Sequence, residues 1–205
     1  MLVAERQEAL RRVELRLRVG EVEERRIAVA RDRLRELAEH LLRRLGGASE
    51  TLTLDDGKLA PLTAERLAWR DECCRGGDFS DGYFAYAGQF AAADTIVIAA
   101  PFWDGSFPAV LKKYFETVCV TGLTFRYTET GEPQGLCRAK KLYYVTTAGG
   151  PIFNDAYGFG YIASLAQTMF GIAQTKCFKA ECLDIDGADA AAILTEAKSR
   201  IDAEI

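Results

Sequence analysis

Asp-Thr-Ile-Val-Ile-Ala-Ala-Pro-Phe-Trp-Asp-Gly, residues 94–105, is the stretch whose reading decides the fold. Thr95 to Ala100 is a short apolar run, β-branched at its centre (Ile96, Val97, Ile98). Such a run suits a strand buried on both faces, as in a parallel sheet covered by helices. Pro101 has no N–H to give to a ladder, so the strand stops there. Phe102, Trp103, Asp104 and Gly105 then lie in the loop at the strand's carboxyl end, where open α/β sheets bind ligands. Ser106 is placed to cap the next helix, and Pro108 suits its first turn. Phe102 and Trp103 either pack the loop onto the sheet or wait for something flat to cover them.

Working outward, the next helix repeats Leu111, Tyr114, Phe115, Val118 and Cys119 at helical spacing. A strand over Leu142–Thr146 follows a turn-rich excursion, Gly122–Gly135, which holds Phe125 and Tyr127. Thr147, Ala148, Gly149 and Gly150 form a second loop at a strand's carboxyl end. Small residues there let a ligand approach the backbone, although Gly-Gly-Pro is equally a plain turn. Further strands are expected at 51–54 and 173–181. Helices are expected near Ala64–Cys73, before Ala93, through Tyr161–Phe170, and at the C-terminus, where Asp186 can cap. Phe79, Tyr83, Phe84 and Tyr86 form an aromatic group that either packs or covers a pocket.

Towards the N-terminus, residues 1–45 carry twelve Arg and no Lys against nine acids. Ile27, Ala30, Leu34, Leu37, Leu41 and Leu45 mark an amphipathic helix ended by Gly46-Gly47. Residues 13–19 alternate apolar and charged, which fits a half-exposed strand or the continuation of a helix. Charge at alternate positions argues against the centre of a parallel sheet.

The 205 residues suit a single α/β domain with a large core, its first 22 residues open, and the net charge of −4 gives no reason to expect nucleic acid. No apolar run reaches membrane-spanning length and the N-terminus is charged, so a cytoplasmic protein is the expectation. The six cysteines include no C-x-x-C pair and His40 is the only histidine, which speaks against a zinc site and most Ser-His or Cys-His chemistry. Any enzymology must therefore come from a cofactor. The two loops follow consecutive strands and should lie side by side. One supplies flat aromatics and the other glycine backbone, a combination that suits a planar heteroaromatic ring.

Ala93 to Ile172 resembles the FMN-dependent NAD(P)H:quinone oxidoreductases and azoreductases of flavodoxin-like fold. The resemblance is carried by Ala-Asp-Thr-Ile-Val-Ile-Ala-Ala-Pro (93–101), Leu-Lys-Lys-Tyr-Phe-Glu (111–116), Gly-Leu-Thr-Phe-Arg-Tyr-Thr-Glu (122–129) and Val-Thr-Thr-Ala-Gly-Gly (145–150). It implies a three-layer sandwich with a five-stranded parallel sheet of order 2-1-3-4-5. It also implies a homodimer whose two sites are each lined by both subunits. By position, Pro101, Phe102, Trp103, Asp104 and Gly105 would lie along the FMN ring, with Thr147, Ala148, Gly149 and Gly150 bordering it. Tyr127 matches a tyrosine near the flavin and the acceptor. The implied reaction passes electrons from NADH or NADPH to a quinone or azo compound in two steps. The family's hydroxyl-bearing phosphate loop is replaced here by Glu23, Glu24, Arg25 and Arg26. A flavodoxin-fold binding or dimerisation module with a degenerate flavin site is the alternative.

Overall fold

The computed structural model describes residues 12–17, 24–54, 57–59 and 61–205, with side chains from Val29 onward. Five parallel strands make the main sheet: β1 (Arg12–Leu17), β2 (Ser49–Leu54), β3 (Thr95–Ala99), β6 (Lys141–Thr147) and β7 (Gln174–Ala180). They lie side by side in the order β2-β1-β3-β6-β7. A separate antiparallel pair joins β4 (Phe125–Tyr127) to β5 (Pro133–Gly135).

β3 shows why the chain folds this way. Successive side chains of a strand point to opposite faces. Ile96 and Ile98 enter one core, with Phe90, Leu111, Tyr114, Phe115 and Phe170. Val97 and Ala99 enter the other, with Leu34, Leu37, Leu41, Phe178, Leu194 and Ile201. The helices divide accordingly. α1 (Glu24–Leu45) and α6 (Ala190–Glu204) cover the second face, while α3 (Ala85–Ala92), α4 (Ala109–Val118) and α5 (Phe159–Thr168) cover the first. α2 (Ala64–Gly76) buries no residue; its Trp69 stacks on Phe84 at 5.6 Å between ring centroids.

β1 is a strand, and it lies inside the sheet. Leu15 pairs with Leu52 on one side and Ile98 on the other, while Arg16 pairs with Thr53 and Ala99. Parallel pairing is a backbone property, and here it overrides the charge alternation that argued for an outer position. The capping assignments also change. Asp189, not Asp186, caps α6, its carboxylate accepting from the N–H groups of Ala191 and Ala192 at 3.0 Å. Ser106 does not cap α4; its hydroxyl donates to the Tyr157 carbonyl at 2.5 Å, and Pro108 directly precedes the helix.

The group at 79–86 packs inward. Phe84 is buried and Phe79 and Tyr83 meet it edge-on at 5.3 and 5.2 Å. Of the two roles open to this group, packing is the one observed, because these rings satisfy one another and Phe84 stacks under Trp69 of α2. Cys137 is buried and the other five cysteines are partly so; all six are free thiols. Among the described residues, no helix is long and apolar enough to cross a membrane and no group of His, Cys, Asp or Glu could hold a metal ion.

Two stability predictions arise from these cores. The Tyr114 hydroxyl is buried without a hydrogen-bond partner among the described residues. Leaving such a group unpaired costs about 1–3 kcal/mol, so Tyr114→Phe should stabilise the fold by about 1 kcal/mol, read as a higher urea midpoint at unchanged slope. Burial pushes the Cys119 thiol up to about 11 and those of Cys137 and Cys177 up to about 12, from an ordinary 9.0. Their contribution is fully present below the unfolded value and is lost as pH rises through the folded values. The urea midpoint should therefore fall as pH rises from about 9 to about 12, and replacing all three by Ala should flatten that fall.

Candidate functional site

The site is built where β3 and β6 end. The ladder between them passes over Pro101: Ala100 N–H donates to the Val145 carbonyl at 3.0 Å, and Phe102 N–H to the Thr147 carbonyl at 2.9 Å. The two loops expected to be neighbours are therefore joined by a backbone bond. Immediately after it, Trp103 and Ser106 exchange both of their backbone hydrogen bonds at 2.8 Å. Asp104 and Gly105 between them have φ of 50° and 82°. Two central residues with positive φ, closed by paired bonds, make a type I′ turn, and Asp-Gly is a favoured pair for it. The turn holds Phe102 and Trp103 half-buried, with Asp104 and Gly105 exposed at its tip.

The glycine loop is held from its other side. The carbonyls of Ala148, Gly149 and Gly150 accept from Leu183, Asp184 and Cys182 at 3.1, 3.0 and 3.2 Å. Every described peptide is trans, and a trans peptide points its N–H opposite to its C=O. The N–H groups of Gly149 and Gly150 therefore face away from Leu183 and Asp184. A Cβ built on Gly105 or Gly150 would meet no atom within 4 Å, so both border open space. Thr147, the last residue of β6, has a hydroxyl buried without a partner among the described residues.

A third loop, residues 151–158, borders the crevice and was not singled out in the sequence. A Cβ on Gly158 would lie 3.3 Å from the Phe102 ring, and Ile152 N–H donates to the Glu181 carboxylate at 2.7 Å. This loop displays Phe153 and Tyr157, which are 93% and 70% exposed. No periodicity marks them, because they belong to no helix or strand.

Tyr127 belongs to the separate β4–β5 hairpin. It is 57% exposed on β4, and the paired strand β5 sets Gly135 against the backbone of Phe170 and Gly171, beyond the C-terminal end of α5. The N-terminal end of α5 is the one beside the loops. His40 bonds Asp202 at 2.9 Å between α1 and α6 and has no part in the crevice. The expectation for Glu23 to Arg26 lies outside the residues and side chains that the structure describes.

Residues 28–205 match the model of the flavodoxin-like fold family. The chain belongs to that family. It is 45% identical over 114 residues to FMN-dependent NADH:quinone oxidoreductase 2 of Clostridium acetobutylicum, covering 53% of this chain and 56% of the relative. It is 40% identical over 120 residues to the FMN-dependent NADH:quinone oxidoreductase of Lachnoclostridium phytofermentans, covering 58% and 60%. This flavodoxin-like chain thus spans less than two thirds of the length of the curated relatives it matches. Among solved structures, the azoreductase of Bacillus anthracis str. Sterne superposes with a TM-score of 0.73 at 21% identity, covering 93% of this chain and 96% of that one. A FMN-dependent NADH-azoreductase from B. anthracis str. Ames Ancestor, in complex with FMN, gives 0.71 at 20% identity, covering 94% and 95%. At these identities the structural likeness concerns the fold.

Proposed function

We propose that the chain is an FMN-dependent oxidoreductase that passes electrons from NADH or NADPH to quinones or azo compounds. The observation that carries this reading is the pairing of the Trp103–Ser106 turn with a glycine loop whose carbonyls are all occupied. Two N–H donors and the unpaired Thr147 hydroxyl then remain for a planar ligand with a polar edge. Phe102 and Trp103 supply a flat flank, Asp104-Gly105 sets the turn, and Pro101 releases the chain from the ladder to form it. Thr147, Ala148, Gly149 and Gly150 border the ring. When bound, FMN supplies a two-electron carrier between nicotinamide and acceptor, used in two successive half-reactions. The protein's part is to orient the ring, exclude water and place donors where negative charge develops.

The position of Tyr127 supports a homodimer. An exposed tyrosine on β4 is available to a second copy's crevice, which is what sites lined by both subunits require. Sedimentation at micromolar concentration should show a two-fold dimer; monomer alone contradicts it.

For the phosphate, the N-terminus of α1, from Glu24 onward, offers backbone N–H groups beside β1, and Arg25 or Arg26 would take the place of the absent hydroxyls. Losing two charge-assisted bonds at roughly 1.5–3 kcal/mol each weakens FMN binding by a factor on the order of hundreds or more. Purified protein is therefore expected to be partly colourless. Added FMN should restore NAD(P)H-dependent quinone reduction. Failure of FMN to confer any such activity would favour the binding-module alternative.

A further inference from the structure

We infer that Arg33 and Asp184 act as positioning residues for the glycine loop, fixing the direction of its N–H donors and balancing the charge beside them. This inference rests on the reading under Proposed function. The contacts form one continuous path. Arg33 Nη1 donates to the Leu183 carbonyl at 3.1 Å and to Asp184 Oδ1 at 3.2 Å, so one guanidinium grips both residues of a dipeptide. The same dipeptide, through Leu183 N–H and Asp184 N–H, holds the carbonyls of Ala148 and Gly149. The Asp184 carboxylate rests against Gly149 itself, where an added Cβ would lie 2.7 Å from Oδ2. Arg33 is in turn anchored, since it stands beside buried Leu34 and one helical turn before buried Leu37, both in the core between α1 and the sheet. The path therefore runs from a rigid helix, across a charged pair, to the two peptide groups that carry the Gly149 and Gly150 N–H donors.

The electrostatic consequence has a sign. Asp184 places a negative charge beside the loop and Arg33 offsets it. Reduced FMN is anionic at neutral pH and feels this balance more strongly than oxidised FMN. Removing the carboxylate without changing its shape, Asp184→Asn, should raise the preference for reduced over oxidised FMN. Arg33→Gln should lower it. An exposed-to-partly-buried pair of this kind changes such a ratio by about threefold. That equals a shift of about 14 mV for a two-electron couple, in which tenfold is 29.6 mV. A purely structural role would move both variants in the same direction.

The test uses the full chain and three variants, Arg33→Gln, Asp184→Asn and Arg33→Lys. Amide hydrogen exchange at Leu183 and Asp184, whose N–H groups hold the Ala148 and Gly149 carbonyls, is followed without FMN, and the flavin midpoint potential with FMN. Faster exchange in Arg33→Gln and Asp184→Asn, opposite shifts in potential, and partial recovery in Arg33→Lys are expected. Unchanged exchange at both Leu183 and Asp184 overturns the inference. So do potential shifts of the same sign. Because the exchange readout needs no cofactor, it decides the matter even for a chain that binds no FMN, an outcome that would separately remove the proposed function.

Discussion

Gly149→Val should cost FMN binding at least tenfold and lower folding stability by about 1–3 kcal/mol, whereas Gly150→Ala should lower FMN binding alone. The two glycines are adjacent, yet their surroundings differ. A Cβ on Gly149 meets Asp184 at 2.7 Å (Oδ2), 3.3 Å (Cβ) and 3.3 Å (Cγ), so the crowding comes from the protein itself and not only from a ring edge. Valine adds two methyl groups to that position. Asp184 must then swing out, breaking its pair with Arg33 and straining its backbone bond to the Gly149 carbonyl. Gly150 has open space in the direction of its missing Cβ, and its φ lies outside the left-handed region. An alanine there should leave the urea midpoint unchanged and intrude only on a bound ring. Titration of FMN together with urea unfolding separates the two variants. Combining Asp184→Ala with Gly149→Val should recover part of the lost stability, since the two sites are in contact and their effects are not additive.

Gly135→Ala should be the most damaging single methyl in the described structure. Its Cβ would stand 2.0 Å from the Phe170 carbonyl carbon, 2.1 Å from Gly171 N and 2.4 Å from the Phe170 oxygen. These are backbone atoms and cannot rotate away. The β4–β5 hairpin would have to lift off the end of α5, pulling on the Thr124 hydroxyl that bonds Val118 and Val120 at its base. A loss of about 3 kcal/mol or more is expected, the upper range for an overpacked site. For a chain of this size that lowers the melting temperature by roughly 6–12 °C. Displacing the hairpin also displaces Tyr127, so quinone KM should rise even at temperatures where the variant is folded. A variant with wild-type melting temperature would show that the hairpin does not pack as described.

The central sheet was legible because its strands obey local rules. Thr95–Ala99 and Lys141–Thr147 have apolar centres and are buried at nearly every position, as strands covered on both faces must be. The two loops followed from the strands, and their adjacency from chain order. β1 was legible only as one of two readings, strand or helix, and its inner place was not, since Glu14 and Arg16 break the apolar run and only the structure shows it paired with both β2 and β3. The turn at Asp104-Gly105 carried a readable signal, the Asp-Gly pair, but Ser106 and Pro108 drew attention to the following helix. Asp186 and Asp189 are equally good caps by residue type, and the choice depends on where α6 begins. The Arg33–Asp184 pair joins residues 151 positions apart, and no local pattern foretells such a contact.

Titration of FMN into the purified full chain, followed by flavin fluorescence, tests the proposed function most directly. Saturable quenching with one FMN per chain, reduced when Trp103 is replaced by Ala, is the predicted result. Fluorescence that stays unquenched at every accessible FMN concentration would contradict it.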